Sequence, residues 1–256
     1  NYARAARLRP VIGYAGLEDP TQGVLHPEDD GVYIMDVQTG EYELVVSIKD
    51  AVDAYHGPED LSDKEIWLSH TGFNPSGTRF HFLMRHANAM GAFRTTMMTA
   101  GAGGEDIRCV IEFGRGTSHF GWKSDDVLLA TMDLEGEGKG SAHVMFPDEE
   151  PESDEAYTRI GRGALTRDGH MTISPDGRWM VTDTYPDSNM EQHLYIHDLE
   201  TGRTLEAGSF QHYPRYIGPS RCDLHPRWNR DGTMISFDSI DGGDRQMYVI
   251  KLISRE

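Results

Sequence analysis

Four short segments of this 256-residue chain open a strand in the same way. They read Phe73-Asn74-Pro75-Ser76-Gly77, Gly121-Trp122-Lys123-Ser124-Asp125-Asp126, Ile173-Ser174-Pro175-Asp176-Gly177 and Trp228-Asn229-Arg230-Asp231-Gly232. Each leads into an apolar run, at 79–84, 127–132, 179–182 and 234–237. In such a turn Asp hydrogen-bonds the local backbone and Gly tolerates positive φ, so the chemistry dictates a reversal followed by a strand. Further strand patterns follow at 192–198 and 246–250, and Asp-x-x-Thr-Gly turns at 36–40 and 198–202 each join two strands of a hairpin.

The openings recur about every fifty residues, the period of a four-stranded antiparallel unit. The chain is therefore expected to be all-β, a β-propeller with four full or nearly full blades and the outer half of another at 31–48. The 28 glycines suit a turn-rich β protein, and the only helix expected is one short turn at 50–55. Residues 1–30, rich in Pro, Gly and Asp, read as a linker or a long inter-strand loop, with the blades in 31–256. A closed propeller usually needs more blades, so a chain truncated at its N-terminus is the expectation.

The formal net charge of −18 argues against nucleic acid, whose phosphates would be repelled. It leaves room for an acidic sugar held by a local Arg/His cluster. The acidic stretch 148–155 reads as a solvated loop lying away from any such substrate. No apolar run is long enough to insert in a membrane, so a soluble protein is expected. The compartment stays open between cytoplasm and periplasm or exterior, because no signal peptide is visible and the chain begins at Asn1 without an initiator Met. Two cysteines are too few for a disulfide framework. Cys109, in an apolar run, reads as a buried strand thiol; Cys222, in a polar and His-rich context, reads as a ligand.

One histidine precedes each opening: His70, His119, His170 and His225. In a propeller the loops entering the innermost strands gather at one mouth of the central channel, which would bring these residues together. A repeat can also reuse a histidine to cap its own turn. The segment Arg221-Cys222-Asp223-Leu224-His225-Pro226-Arg227 adds a Cys-x-x-His spacing, whose ligand types suit a borderline-soft divalent metal. No Gly-x-Ser-x-Gly elbow supports a hydrolase.

From residue 31 onward the pattern resembles the oligogalacturonate lyase type of polysaccharide lyase, seven-bladed propellers related to ulvan-lyase-like and TolB-like ones. The resemblance rests on Gly-His-x-x-x-Ser-Pro-Asp-Gly at 169–177, Ser-His-Phe-x-Trp at 118–122 and the His-Pro segment ending in Asp-Gly at 222–232. It implies β-elimination on a uronate-containing oligosaccharide or polysaccharide. In that family a divalent metal is held by one His before an opening and a Gln-x-x-His-x-His run before the next. His170 and His225 match two of these positions, whereas Cys222 stands where the Gln falls and Arg227 where the last His falls. Arg227 cannot bind a metal. His170, Cys222 and His225, with Asp223, then make a tetrahedral set in which the thiolate favours zinc, while the resemblance itself implies manganese.

The resemblance likewise implies a catalytic pair, Arg94 and His119. The guanidinium would neutralise the uronate carboxylate and the imidazole would remove the adjacent proton. Arg85, His86, Arg221 and Arg227 are further candidates for contacts with sugar carboxylates. Tyr185 would contact the sugar or donate a proton to the leaving oxygen, and His70 is the alternative base. The competing reading is a non-catalytic TolB-like propeller that binds a protein or a glycan.

Overall fold

The structure is a computed structural model that describes residues 1–9, 16–88, 92–134 and 142–253. Three of the four openings close by the same device. Asn74 Oδ1 accepts from the Thr78 and Arg79 amides at 2.9 and 3.1 Å, Ser174 Oγ from the Trp179 amide at 2.9 Å, and Asn229 Oδ1 from the Met234 amide at 2.9 Å. The glycines that end these turns, Gly77, Gly177 and Gly232, sit at φ 72°, 74° and 70°, where a side chain would be strained. Asp36 and Asp198 bend the two hairpins by accepting from backbone amides two and three residues on.

The chain divides into two compact units, residues 1–117 with 147–153, and residues 118–146 with 154–256. The first holds the hairpin β1 (Gly31–Met35) and β2 (Tyr42–Ser47), then a sheet of β3 (Trp67–Phe73), β4 (Arg79–Ala87), β5 (Phe93–Gly101) and β6 (Arg108–Ile111). The second holds three sheets. They are β7 (Phe120–Trp122), β8 (Val127–Met132), β9 (Ala142–Pro147) and β10 (Thr158–Ile160); β11 (Thr172–Ile173), β12 (Trp179–Asp183), β13 (Glu191–Asp198) and β14 (Thr204–Gln211); and β15 (Arg227–Trp228), β16 (Met234–Ser239) and β17 (Gln246–Lys251). In every sheet neighbours in space are neighbours in sequence, the meander of a propeller blade.

Burial of apolar faces holds the blades. In the first unit Phe80, Phe82 and Met84 of β4 pack with Met98 of β5 and with Val46 and Ile66. In the second, Val181, Leu194, Leu224, Ile235 and Phe237 form one cluster, and Leu129, Ile160, Leu165, Met171 and Met180 another. Trp179 and Trp228 pack against the first of these, as blade-packing residues should. Cys109 is a buried thiol on β6.

Two segments differ from the sequence reading. Within 1–30, Tyr2–Leu8 forms helix α1, because Asn1 caps the Ala3 and Arg4 amides and the segment is rich in Ala, Arg and Leu. Its Arg4 is only 1% exposed and donates to the carbonyls of Val24, Leu25 and Ile66, tying the helix to β3. The acidic loop is not wholly solvated either. Asp148 is 4% exposed and binds the guanidiniums of Arg79 and Arg108 and the Thr99 hydroxyl, which compensate its buried charge. The expected short helical turn is α2 (Ile48–Asp53), starting two residues early because Ser47 and Asp50 form a capping box. No described helix is long and apolar enough to cross a membrane.

Burial sets a pH dependence. His81 on β4 and His143 on β9 are both pushed down to about 4, because each imidazole is removed from water. The unfolded chain, with ordinary histidines near 6.5, takes up protons that the folded chain refuses. The stability from keeping these rings neutral is therefore full above about pH 6.5 and lost as pH falls toward about 4. The urea midpoint should drop between about pH 7.5 and about pH 5, and drop less in His81→Leu. An equal drop in that variant would contradict this origin.

Candidate functional site

In the second unit three histidines, each entering a different blade, meet. His119 lies just before β7 and is held in the ladder by Thr131, whose amide donates to the His119 carbonyl at 2.7 Å and whose hydroxyl accepts from the His119 amide at 3.0 Å. His170 precedes β11 and His225 precedes β15. The His119 and His170 ring centroids are 3.9 Å apart, and those of His170 and His225 are 3.5 Å apart.

One carboxylate organises two of them. Asp183, at the end of β12 and 1% exposed, accepts from the His170 amide at 2.6 Å and from His170 Nδ1 at 3.0 Å. Its other oxygen accepts from the His225 amide at 2.9 Å. Gly169 makes this approach possible: a Cβ there would lie 1.8 Å from the Asp183 carbonyl oxygen. With His170 Nδ1 committed to Asp183, its Nε2 is the nitrogen left for a ligand. His225 takes a left-handed backbone, φ 45°, as does His70 before its own opening, φ 59°.

His119 has its own carboxylate. Its Nδ1 lies 2.9 Å from Asp168 Oδ1, which also accepts from the Thr131 hydroxyl. Burial raises the cost of charge on Asp168, yet hydrogen bonds from His119, Thr131 and Ser118 prevail and keep it below the usual carboxylate range. A carboxylate on Nδ1 fixes the tautomer in which Nε2 is bare. Facing Nε2 at 3.4 Å is the Tyr185 hydroxyl, which burial pushes up to about 12, so it stays protonated. The Arg221 guanidinium lies 4.9 Å from the Tyr185 ring and pairs with Asp223 at 2.8 Å.

One ligand atom from each of His170, Asp223 and His225 lies within 4.8 Å of the others. Asp223 gives one oxygen to Arg221, while Oδ1 is buried with no hydrogen-bond partner. Although His225 as a residue is exposed, its ring lies on that of His170; burial and that neighbouring ring push it down to about 4, leaving it neutral near pH 7. Two imidazoles and an unpaired carboxylate oxygen are a donor set for a divalent cation.

Cys222 is the correction. The sequence placed its thiol among the ligands, but it is outside the cluster and fully buried, and burial raises its pKa. Cys222 and Leu224 are fully buried, whereas Asp223 and His225 each offer a ligand atom to the cluster. The thiolate argument for zinc falls with it. Arg227 is exposed and donates to the Pro226 carbonyl.

The remaining candidates belong to the first unit. Arg94 Nη2 lies 2.7 Å from Glu59, whose other oxygen is 3.1 Å from His86 Nε2. Arg85 is buried and donates to Thr95. His70 is exposed, with Nδ1 2.9 Å from Ser69 Oγ. Asp168 and Asp183 were missed in the sequence, although each had a signal: Asp168 lies two residues before His170, and Asp183 is an acid ending a strand that begins Trp-Met-Val.

No protein-family model and no curated protein matches the chain. Its fold, however, recurs among solved structures. An oligogalacturonate lyase in complex with manganese superposes with a TM-score of 0.58 at 19% identity, over 86% of this chain and 54% of that one. The oligogalacturonate lyase of Vibrio parahaemolyticus gives 0.58 at 18%, over 85% and 53%. The chain is a β-propeller. TolB from Acinetobacter baumannii shares the fold at 0.52 and 12% identity, over 86% of this chain and 45% of that one. The propeller described above thus spans about half the length of the lyases it resembles.

Both thiols are inaccessible by this geometry. In native protein Cys109 and Cys222 should react with a disulfide reagent only as fast as the chain unfolds, with Cys109 further protected by a pKa pushed up to about 11. A fast stoichiometric reaction at Cys222 would return that thiol to the site.

Proposed function

We propose that the chain is part of a lyase that cleaves a uronate-containing oligosaccharide or polysaccharide by β-elimination. What supports the reading is the convergence of His119, His170 and His225 from three blades, with a protonated Tyr185 3.4 Å from His119 Nε2. In the proposed step, His119 Nε2 takes the proton from C5 of the uronate while Asp168 holds its other nitrogen. The C5–H electron pair forms the C4–C5 double bond, the C4–O bond breaks, and Tyr185 gives its proton to the leaving oxygen. Arg221, beside Tyr185 and half exposed, would hold a substrate carboxylate. Arg227, exposed two residues beyond His225, would hold a neighbouring one.

His170, Asp223 and His225 would hold a divalent cation, with Asp183 orienting His170. Such a cation, when bound, supplies positive charge to the carboxylate next to the acidic proton. A nitrogen and oxygen donor set suits manganese as well as zinc, and the manganese-bound lyase of the same fold favours the former. The second reading is a non-catalytic propeller that binds a glycan or protein, favoured by Cys222 and Arg227 standing where the lyases carry a Gln and a His.

The two readings part in one assay. Pectic and ulvan-type uronates are incubated with the full-length protein and manganese, and the ultraviolet absorbance of the new double bond is followed. Activity is expected, and His119→Ala should slow it by roughly a hundredfold or more. Absence of absorbance on every uronate would leave the binding reading; full activity in His119→Ala would move the base to His70 or Tyr185.

A further inference from the structure

The first unit contains a cavity of about 490 Å³ that uses no residue of the histidine cluster. It lies between α1, β1 and β3, with walls that include Ala5, Val32, Tyr33 and Trp67. Two arginines line it, Arg9 and Arg85. Both guanidiniums rest on the ring of Phe93, Arg9 at 4.2 Å and Arg85 at 5.1 Å from its centroid.

These two arginines differ from their neighbours. Arg4, Arg7, Arg79, Arg94 and Arg108 of the same unit each have a carboxylate partner. Among the described residues Arg85, 6% exposed, meets the hydroxyls of Thr95 at 3.1 Å and Ser69 at 3.5 Å besides the Phe93 ring, and Arg9 meets that ring. Neither meets a carboxylate among the described residues. The five arginines named above are each matched by an acid, whereas these two guanidiniums, which share one ring, are not. Burial, and then the charge of Arg9, push Arg85 down to about 10, which is the electrostatic cost of that arrangement. A buried cation without a counter-charge is destabilising, and an anion entering the cavity would relieve it.

We propose that this cavity binds a small organic carboxylate with an apolar body. The carboxylate would accept from Arg85 and Arg9, whose planar forks match its two oxygens. The apolar body would lie against Trp67, Val32 and Ala5. The size falls in the usual range for small-molecule sites, and the mainly apolar wall with convergent polar groups is their usual make-up.

Calorimetric titration of the full-length protein with 2-naphthoate, 2-naphthamide and sulfate tests the assignment. Naphthoate should saturate, with the neutral amide and the bare sulfate each bound roughly tenfold or more weakly. Arg85→Gln should lose roughly tenfold or more in naphthoate affinity, and Arg9→Gln, at a less buried position and so a safer variant for folding, should lose a similar factor. Failure of naphthoate to saturate, equal binding of the amide, or unchanged affinity in Arg9→Gln would each overturn it. Sulfate binding as tight as naphthoate would overturn the apolar part by showing a simple oxyanion site.

Discussion

The carboxylate of Asp183 is the constraint on which the histidine site depends. It is buried at the end of β12, where its charge must be met by donors, and the three it finds are the His170 amide, the His170 ring and the His225 amide. A charge held in this way fixes two blade openings at once, because every hydrogen bond to a buried carboxylate left unmade would cost desolvation energy of a few kcal/mol. It also selects which nitrogen of His170 is free. Asp168 does the same for His119, so two acids, neither of them facing a ligand directly, set the ring orientations of the cluster.

The fold follows from turn chemistry repeated in register. Asn74, Ser174 and Asn229 close their turns with one side-chain oxygen, and a glycine takes the left-handed residue each time. Those are local rules, and for that reason the strands at 127–132, 179–183 and 234–239 and the hairpin at 31–47 were legible from the sequence to within a residue or two. Helix α1 was not, since Pro, Gly and Asp elsewhere in 1–30 obscured a run of six good helix formers, Ala3 to Leu8.

The site was half legible. The repeat positions of the histidines gave the cluster of His119, His170 and His225, because equivalent loops of consecutive blades enter from the same end. Which neighbours of His225 face the cluster was not legible from a Cys-x-x-His spacing. That spacing counts residues without saying which way each side chain turns: Cys222 and Leu224 are fully buried, whereas Asp223 offers an oxygen beside His225. Asp148 misled for a similar reason: a run of acids looks solvated, but three basic or hydroxyl partners, distant in sequence, bury one member of it.

The central claim, that Asp183 holds His170 and His225 as a ligand pair, is tested most directly by calorimetric titration of manganese into the native protein and into Asp183→Asn. The amide keeps the shape of the side chain but removes its charge and can no longer accept from every donor. Its manganese affinity should fall by roughly 10- to 100-fold with the fold intact by circular dichroism. An affinity equal to that of the unaltered protein, or no manganese binding by either, would contradict it.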